Sequence, residues 1–220
     1  MFYETVTDEW GKVTYIPTTY GNLLLAVIIF VLLLAAMFLS GKKSRKLSVR
    51  QLCFCAVSIA LGTVLSNIKL FHFPYGGSVT LFSMLAVCLP GYWFGLGAGL
   101  ITGVAYGVLQ ILLDPYVLFP AQLVVDYLLA FGALGLSGLF SNARYGLIKG
   151  YIAGILGRYV FVVLSGWIFF ASYAWEGWDP LPYSLVYNGI YIFAEGIITI
   201  MILMLPPVSN AMTRVKKATL

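Results

Sequence analysis

The sequence predicts an all-α polytopic membrane protein, one leading transmembrane helix followed by a core of six, and three observations carry that prediction. Of the 220 residues, 61% are hydrophobic and 10% charged, against about 25% charged in soluble domains, and the mean hydropathy is +0.95. The apolar residues gather in runs near the roughly 20 residues that a helix needs to cross hydrocarbon. Most of the basic residues lie between those runs, on what an alternating thread makes a single side. The length holds about six or seven spanning helices with their connections, which leaves no room for a separate catalytic domain.

Residues 1–20 read as a short extracytoplasmic segment, with Glu4, Asp8 and Glu9 against Lys12. Residues 21–40 contain the clearest apolar run and form the extra transmembrane helix. A secretory signal would carry its basic residues before the run, but here Lys42, Lys43, Arg45, Lys46 and Arg50 follow it, so the helix is retained. Residues 41–50 are then a basic cytoplasmic linker, because Lys and Arg accumulate on the cytoplasmic side. The core, residues 51–206, threads through apolar runs at about 51–70, 79–92, 94–113, 121–140, 151–172 and 184–206. Six spans return the chain to the cytoplasm for a basic tail, 207–220, with Arg214, Lys216 and Lys217, and place Arg144 and Lys149 on the same side. Ten of the thirteen basic residues thus share one side.

A net charge of +5 therefore reads as topology, and no nucleic-acid partner is expected. The phosphate-binding loop G-x-x-x-x-G-K-[ST] is missing: the nearest fragment, Gly41-Lys42-Lys43-Ser44, lacks the glycine five positions before Gly41. Energy from ATP would have to come from a partner. Cys53, Cys55 and Cys88 lie in apolar runs without metal-ligand spacing and read as small buried residues. His72 is the only histidine, so no multi-histidine metal site is expected, nor any cofactor. The segment from His72 to Thr80 reads as a turn from its Pro and paired Gly.

Gly91, Gly95, Gly99, Gly103 and Gly107 recur every fourth residue. Small residues at that spacing let helix backbones approach closely in lipid, where van der Waals contact drives association. Intramolecular packing is the expected use. Ala56 and Ala60 repeat the pattern on the first core span.

Three ionisable residues lie inside spans, where each costs roughly 2.5–3.5 kcal/mol on insertion scales: Asp126, Arg158 and Glu195. Asp126 is reachable from the outer side. Arg158 and Glu195 lie at depths where an ion pair between the last two helices is one reading. A polar cavity is the other, with Asn188, Tyr191 and Glu195 on one helical face. The outer side is rich in carboxylates and rings, including Asp114, Tyr116, Asp126, Tyr127, Tyr173, Trp175, Glu176, Trp178, Asp179, Tyr183 and Tyr187. Interfacial belts explain part of the aromatic content. A carboxylate beneath such a belt selects an organic cation with a planar ring, which gains cation-π attraction of about 2 kcal/mol when desolvated.

Several segments resemble the thiamine-specific S component of energy-coupling factor (ECF) transporters. They are Asp114-Pro115-Tyr116 with Pro120-Ala121-Gln122-Leu123-Val124-Val125-Asp126-Tyr127, Arg158-Tyr159 through Ser165-Gly166, Phe169 to Trp175, Tyr183-Ser184-Leu185 leading to Asn188, and Gly76 to Thr80. The resemblance covers about 47–206. It implies a six-helix, S-component-like core in a prokaryotic cell membrane that captures thiamine, or a close cationic analogue, from outside. Delivery would fall to a membrane coupling subunit with two cytoplasmic ATPase subunits. It also implies that Asp126 faces the thiazolium, that Tyr116, Tyr127, Phe170 and Tyr183 contact its rings, and that Asn188 anchors the aminopyrimidine. Ala56 and Ala60 would meet the coupling subunit. The sequence departs from this pattern at Val162, where members carry a histidine, at Glu195, which has no counterpart, and in the extra leading helix. Two other classes remain from the residues: a stand-alone ion- or proton-coupled transporter of a small organic cation using Arg158 and Glu195, and an intramembrane enzyme using Asp114 and Asp126. The second lacks a nucleophile, and no enzyme activity is expected.

Overall fold

The computed structural model describes residues 3–7, 13–17, 47–73, 77–113, 116 and 120–219. The leading helix expected at 21–40 and most of the basic linker lie outside them. At the N-terminus, β1 (Tyr3–Thr7) pairs antiparallel with β2 (Val13–Pro17). The core follows as α1 (Val49–Asn67), a hairpin of β3 (Lys69–His72) and β4 (Ser78–Thr80), α2 (Ser83–Phe94) and α3 (Leu96–Leu113). Next come α4, taken as the apolar span Ala121–Phe140, then α5 (Gly146–Phe169), α6 (Pro180–Leu203) and a tail helix, α7 (Pro206–Thr219).

Local chemistry sets several boundaries. Ser48 and Gln51 close a reciprocal capping box at the start of α1, the Gln51 amide donating to Ser48 Oγ at 3.3 Å and the Ser48 amide to Gln51 Oε1 at 3.0 Å. Gly95, at φ +94°, ends α2 and lets the chain reverse into α3. Pro180 opens α6, where a missing N–H costs nothing.

Five helices are long and apolar enough to cross a membrane: α1, α3, α4, α5 and α6. The second core run differs from its expected boundaries. Residues 78–80 are strand, Phe82 takes a left-handed conformation at φ 59°, and α2 has only 12 residues, a rise of about 18 Å. It is a half-length helix beginning inside the bundle and walled by its neighbours, with Val87 and Cys88 fully buried. The stretch from His72 to Thr80, expected as a turn, joins β3 to β4 in an antiparallel hairpin, with residues 74–76 outside the described residues.

Successive core helices run antiparallel. One end of the bundle gathers β3–β4, Tyr116 and the turn Ala171–Tyr173; the other gathers the α2–α3 junction, Ser141 and α7. β2 lies beside α5 and the Ala171–Tyr173 turn at the first end. At the second end, Lys216 of α7 donates to the Ser141 carbonyl and sits 4.3 Å over the Tyr92 ring. Partial burial there lowers its pKa from the usual lysine value.

The glycine ridge packs within the molecule. A Cβ at Gly99 would lie 2.7 Å from the Gly135 carbonyl oxygen, one at Gly103 2.4 Å from that of Phe131, and one at Gly107 2.2 Å from that of Tyr127. Gly91 meets the same α4 backbone at Gly138, 3.0 Å away, whereas Gly95 faces open space and serves the turn. On α4 the seam is answered by Gly135, whose Cβ would come 2.3 Å from the Gly99 carbonyl carbon. Adding volume at such a contact forces backbone shifts that cost about 1–3 kcal/mol or more. Gly135→Ala is therefore expected to lower the melting temperature of the detergent-solubilised protein, followed by intrinsic fluorescence. Gly97→Ala, where nothing lies within 4 Å, leaves it unchanged.

Candidate functional site

A cavity of about 470 Å³ occupies the first end of the bundle, within the usual range for small-molecule sites. All six binding candidates read from the sequence, Asp126, Tyr116, Tyr127, Phe170, Tyr183 and Asn188, line it, as do Arg158, Val162 and Glu195. Ala56 and Ala60 lie elsewhere, exposed on α1. Asp114 falls outside the described residues.

The shallow wall comes from α4 and the chain before it. Residues Val124–Leu129 form a π-helical turn, the wider winding that recurs at functional positions, and this turn carries Asp126 and Tyr127. The Tyr116 amide donates to Tyr127 Oη at 2.7 Å. Gln122 Nε2 donates both to the Tyr116 carbonyl at 2.8 Å and to Asp126 Oδ2 at 3.0 Å. Asp126 is half-buried. The Tyr116 ring lies nearly parallel to that of Phe170, centroids 5.9 Å apart at 16°.

The facing wall is α6. Tyr183, Tyr187 and Tyr191 recur every fourth residue, so their rings form a continuous stripe, with neighbouring centroids 5.4 and 6.1 Å apart. Trp175 extends it at the rim, 5.2 Å from Tyr183, and Phe73 of the β3–β4 hairpin abuts Tyr187 at 5.8 Å. Asn188 Nδ2 is bound to Ser184 Oγ at 3.1 Å, the Ser184 carbonyl at 2.9 Å and the Val162 carbonyl at 3.3 Å. Asn188 Oδ1 accepts from Tyr191 Oη at 2.6 Å, which leaves it one further lone pair. The close approach of α5 and α6 needs Gly166, where a Cβ would lie 2.2 Å from Ser184 Oγ.

The floor holds two charges, and the expected ion pair between them is not formed among the described residues. Glu195, 3% exposed, is committed to the start of α2. Its Oε2 accepts from Thr80 Oγ1 at 2.5 Å and the Thr80 amide at 3.3 Å, and its Oε1 from the Met84 amide at 3.0 Å and Ser83 Oγ at 3.4 Å. The first N–H groups of a helix have no partner within it, and α2 has no side-chain cap of its own, so a carboxylate from α6 supplies one. Arg158 instead rests its guanidinium 4.4 Å above the Phe131 ring, and its Nε has no hydrogen-bond partner among the described residues. Gln122, Ser184, Gly166 and Thr80 lie in the segments that carry the family resemblance but were not singled out there as site residues.

Helices long and apolar enough to cross a bilayer, around a ligand-sized cavity ringed by aromatics at one end, are the build of a small-molecule membrane transport protein. A family profile described as "Thiamine transporter protein" (Thia_YuaJ) matches residues 52–215, and the chain belongs to that family, the one its sequence resembles. The thiamine transporter ThiT of Bacillus subtilis (strain 168) is 34% identical over 146 residues, which cover 60% of this chain and 76% of that protein. ThiT of Lacticaseibacillus paracasei is 28% identical over 137 residues, covering 56% and 66%. The solved structure of ThiT from Listeria monocytogenes superposes with a TM-score of 0.60 at 28% identity, covering 71% of this chain and 94% of that one. The β1–β2 hairpin and the residues up to 51 lie outside the family match.

Hydrogen bonds to a charged group contribute about 1.5–3 kcal/mol each. Thr80→Val removes the shortest one on Glu195 and is expected to destabilise the protein by that order, read as a lower melting temperature with helix content unchanged at 20 °C by circular dichroism.

Proposed function

We propose that this chain is the membrane-embedded substrate-binding subunit of a thiamine importer. Asp126 carries the reading: it is a half-buried carboxylate among aromatic rings, near the mouth of the cavity and bound by Gln122. A thiazolium ring brings the missing positive charge, and the flanking rings of Tyr116, Tyr127, Phe170 and Tyr183 give it stacking and cation-π contact. Asn188 offers its remaining lone pair to the ligand's exocyclic amine. The cavity end of the bundle faces outward in this reading, with Ser141, Arg144 and the tail helix in the cytoplasm, the arrangement that agrees with the distribution of basic residues.

Uptake then needs an energy source, and the sequence lacks a phosphate-binding loop. The ECF arrangement, a membrane coupling subunit with two cytoplasmic ATPases, fits a chain of this size that binds but does not hydrolyse. Its docking surface in this reading is α1, the least buried of the five long helices at 17% against 33–44% for the others. Ala56 and Ala60 form a smooth strip there, flanked by exposed Val57, Leu61 and Val64, and small residues permit close helix approach. A stand-alone transporter with an Arg158–Glu195 relay has no comparable support, since Glu195 is bound to the start of α2.

Asp126→Asn is expected to weaken thiamine binding by roughly 30-fold or more, the effect of removing one side of a buried charged pair, while Glu195→Gln weakens it far less. Titration by tryptophan fluorescence in detergent measures both, and equal curves for the two variants would sink the assignment. Replacing Ala56 and Ala60 together by Leu is expected to leave thiamine affinity within about twofold while abolishing co-purification with the coupling subunit, since bulk blocks close packing without touching the cavity. A double variant that still assembles places the docking surface elsewhere.

A further inference from the structure

The end of the bundle opposite the cavity is supplied with cations and with no acidic side chain. None of the eight acidic residues falls within 41–50, 141–150 or 204–220, and those segments hold ten of the thirteen basic ones. Among the described residues Arg50, Arg144, Lys149, Arg214 and Lys217 are exposed there. Three of them are drawn around one clamp. α7 turns its apolar side, Val208, Met212 and Val215, onto the core, while Lys216 donates to the Ser141 carbonyl and lies over the Tyr92 ring. Arg214 and Lys217 flank Lys216 on the outward side of the same helix, and Arg144 follows Ser141 by three residues.

The turn that carries Arg144 is held in a costly shape. Tyr145 is left-handed at φ 58°, a conformation that Gly, Asn or Asp adopts far more readily. Gly146 keeps the turn tight, since a Cβ there would lie 2.2 Å from the Phe140 carbonyl oxygen. The Tyr145 ring is nonetheless 65% exposed, with the Arg144 guanidinium 5.2 Å from its centroid. Depth indicates what such a pair would meet. The α4 span ends at Phe140, the α5 span begins at Gly146, and α7 starts three residues after the α6 span ends at Leu203. The cluster therefore stands at headgroup level, where Tyr rings are favoured and a guanidinium can fork onto a phosphate. Like charges gathered at one end also repel one another, and an anion among them relieves that repulsion. We propose that Arg144, Tyr145, Arg214 and Lys217 form a binding surface for the phosphate headgroup of an anionic phospholipid. This surface is separate from the cavity and does not rest on the thiamine reading.

The test offers the full chain, in an uncharged detergent, phosphatidylglycerol and phosphatidylcholine of matched acyl chains, and counts the lipid retained after gel filtration by mass spectrometry of the intact protein. Wild type is expected to retain phosphatidylglycerol in about 10-fold or greater excess, since one basic residue at an anionic surface is worth about fivefold in affinity. The excess is expected to shrink at about 1 M salt, where charges are screened beyond about 3 Å. Replacing Arg144, Arg214 and Lys217 together by Gln is expected to abolish the excess and leave thiamine affinity within about twofold of wild type. Tyr145→Gly relieves the backbone, so it is expected to lose part of the excess without a lower melting temperature, a split that a purely structural turn would not give. Equal retention of the two lipids by wild type overturns the proposal without needing any variant. So does a triple variant that keeps the wild-type excess, and so does inorganic phosphate that displaces the lipid completely, which would make this a free-anion site. A triple variant that keeps its lipid but no longer co-purifies with the coupling subunit overturns it too and assigns the face to a protein partner.

Discussion

Ending a helix halfway through a membrane bundle leaves its first N–H groups without partners, and hydrocarbon offers no water to supply them. The structure depends on how α2 meets that constraint. A single carboxylate, Glu195 of α6, gathers the Thr80 and Met84 amides and the Thr80 and Ser83 hydroxyls. An anion at this position also complements the positive end of the helix dipole. Because α2 starts so deep, the space above it is free of helix, and the β3–β4 hairpin that replaces the missing turns lines the cavity with Gly77, Ser78 and Thr80.

The glycine seam fixes the opposite side. With no hydrophobic force between helices in lipid, α3 and α4 hold together by backbone contact, Gly99 against Gly135 and Gly103 against Phe131. That contact sets where α4 can stand, and the π-helical turn in α4 then alters the winding of the helix over the residues that carry Asp126 and Tyr127. A seam of small residues on one helix thus bears on the placement of a carboxylate on its neighbour. The loop before α4 is pinned to the same turn by Gln122 and Tyr127.

Much of this was legible in the sequence, and what was not has a common cause. The long spans showed as apolar runs, and the glycine period showed which helix would pack closest. The six residues read as a ligand shell do line one cavity, because ionisable and ring residues are conspicuous in apolar sequence. The half-length of α2 was hidden: residues 79–92 are apolar whether helical or not, and the cap that ends the helix comes from Glu195, 115 positions beyond Thr80. The fate of Arg158 and Glu195 was hidden for the same reason. Similar depth allowed them to pair, but depth cannot show that the carboxylate has four donors nearer to hand. Nor does hydropathy register a π-helical turn or a two-stranded hairpin, both of which depend on local hydrogen bonding within a run of unchanged polarity.

The two buried carboxylates illustrate how surroundings divide labour between chemically similar groups. A carboxylate has about four lone-pair sites. Those of Glu195 are taken up by two amides and two hydroxyls at the base of the cavity, so it has little capacity to receive a ligand and acts as part of the backbone scaffold. Asp126, nearer the mouth, accepts from Gln122, and that same amide also holds the Tyr116 carbonyl. Its remaining acceptor capacity faces a space walled by rings. Burial with full satisfaction makes an acid structural, whereas burial with open lone pairs leaves an acid that gains most from an incoming cation.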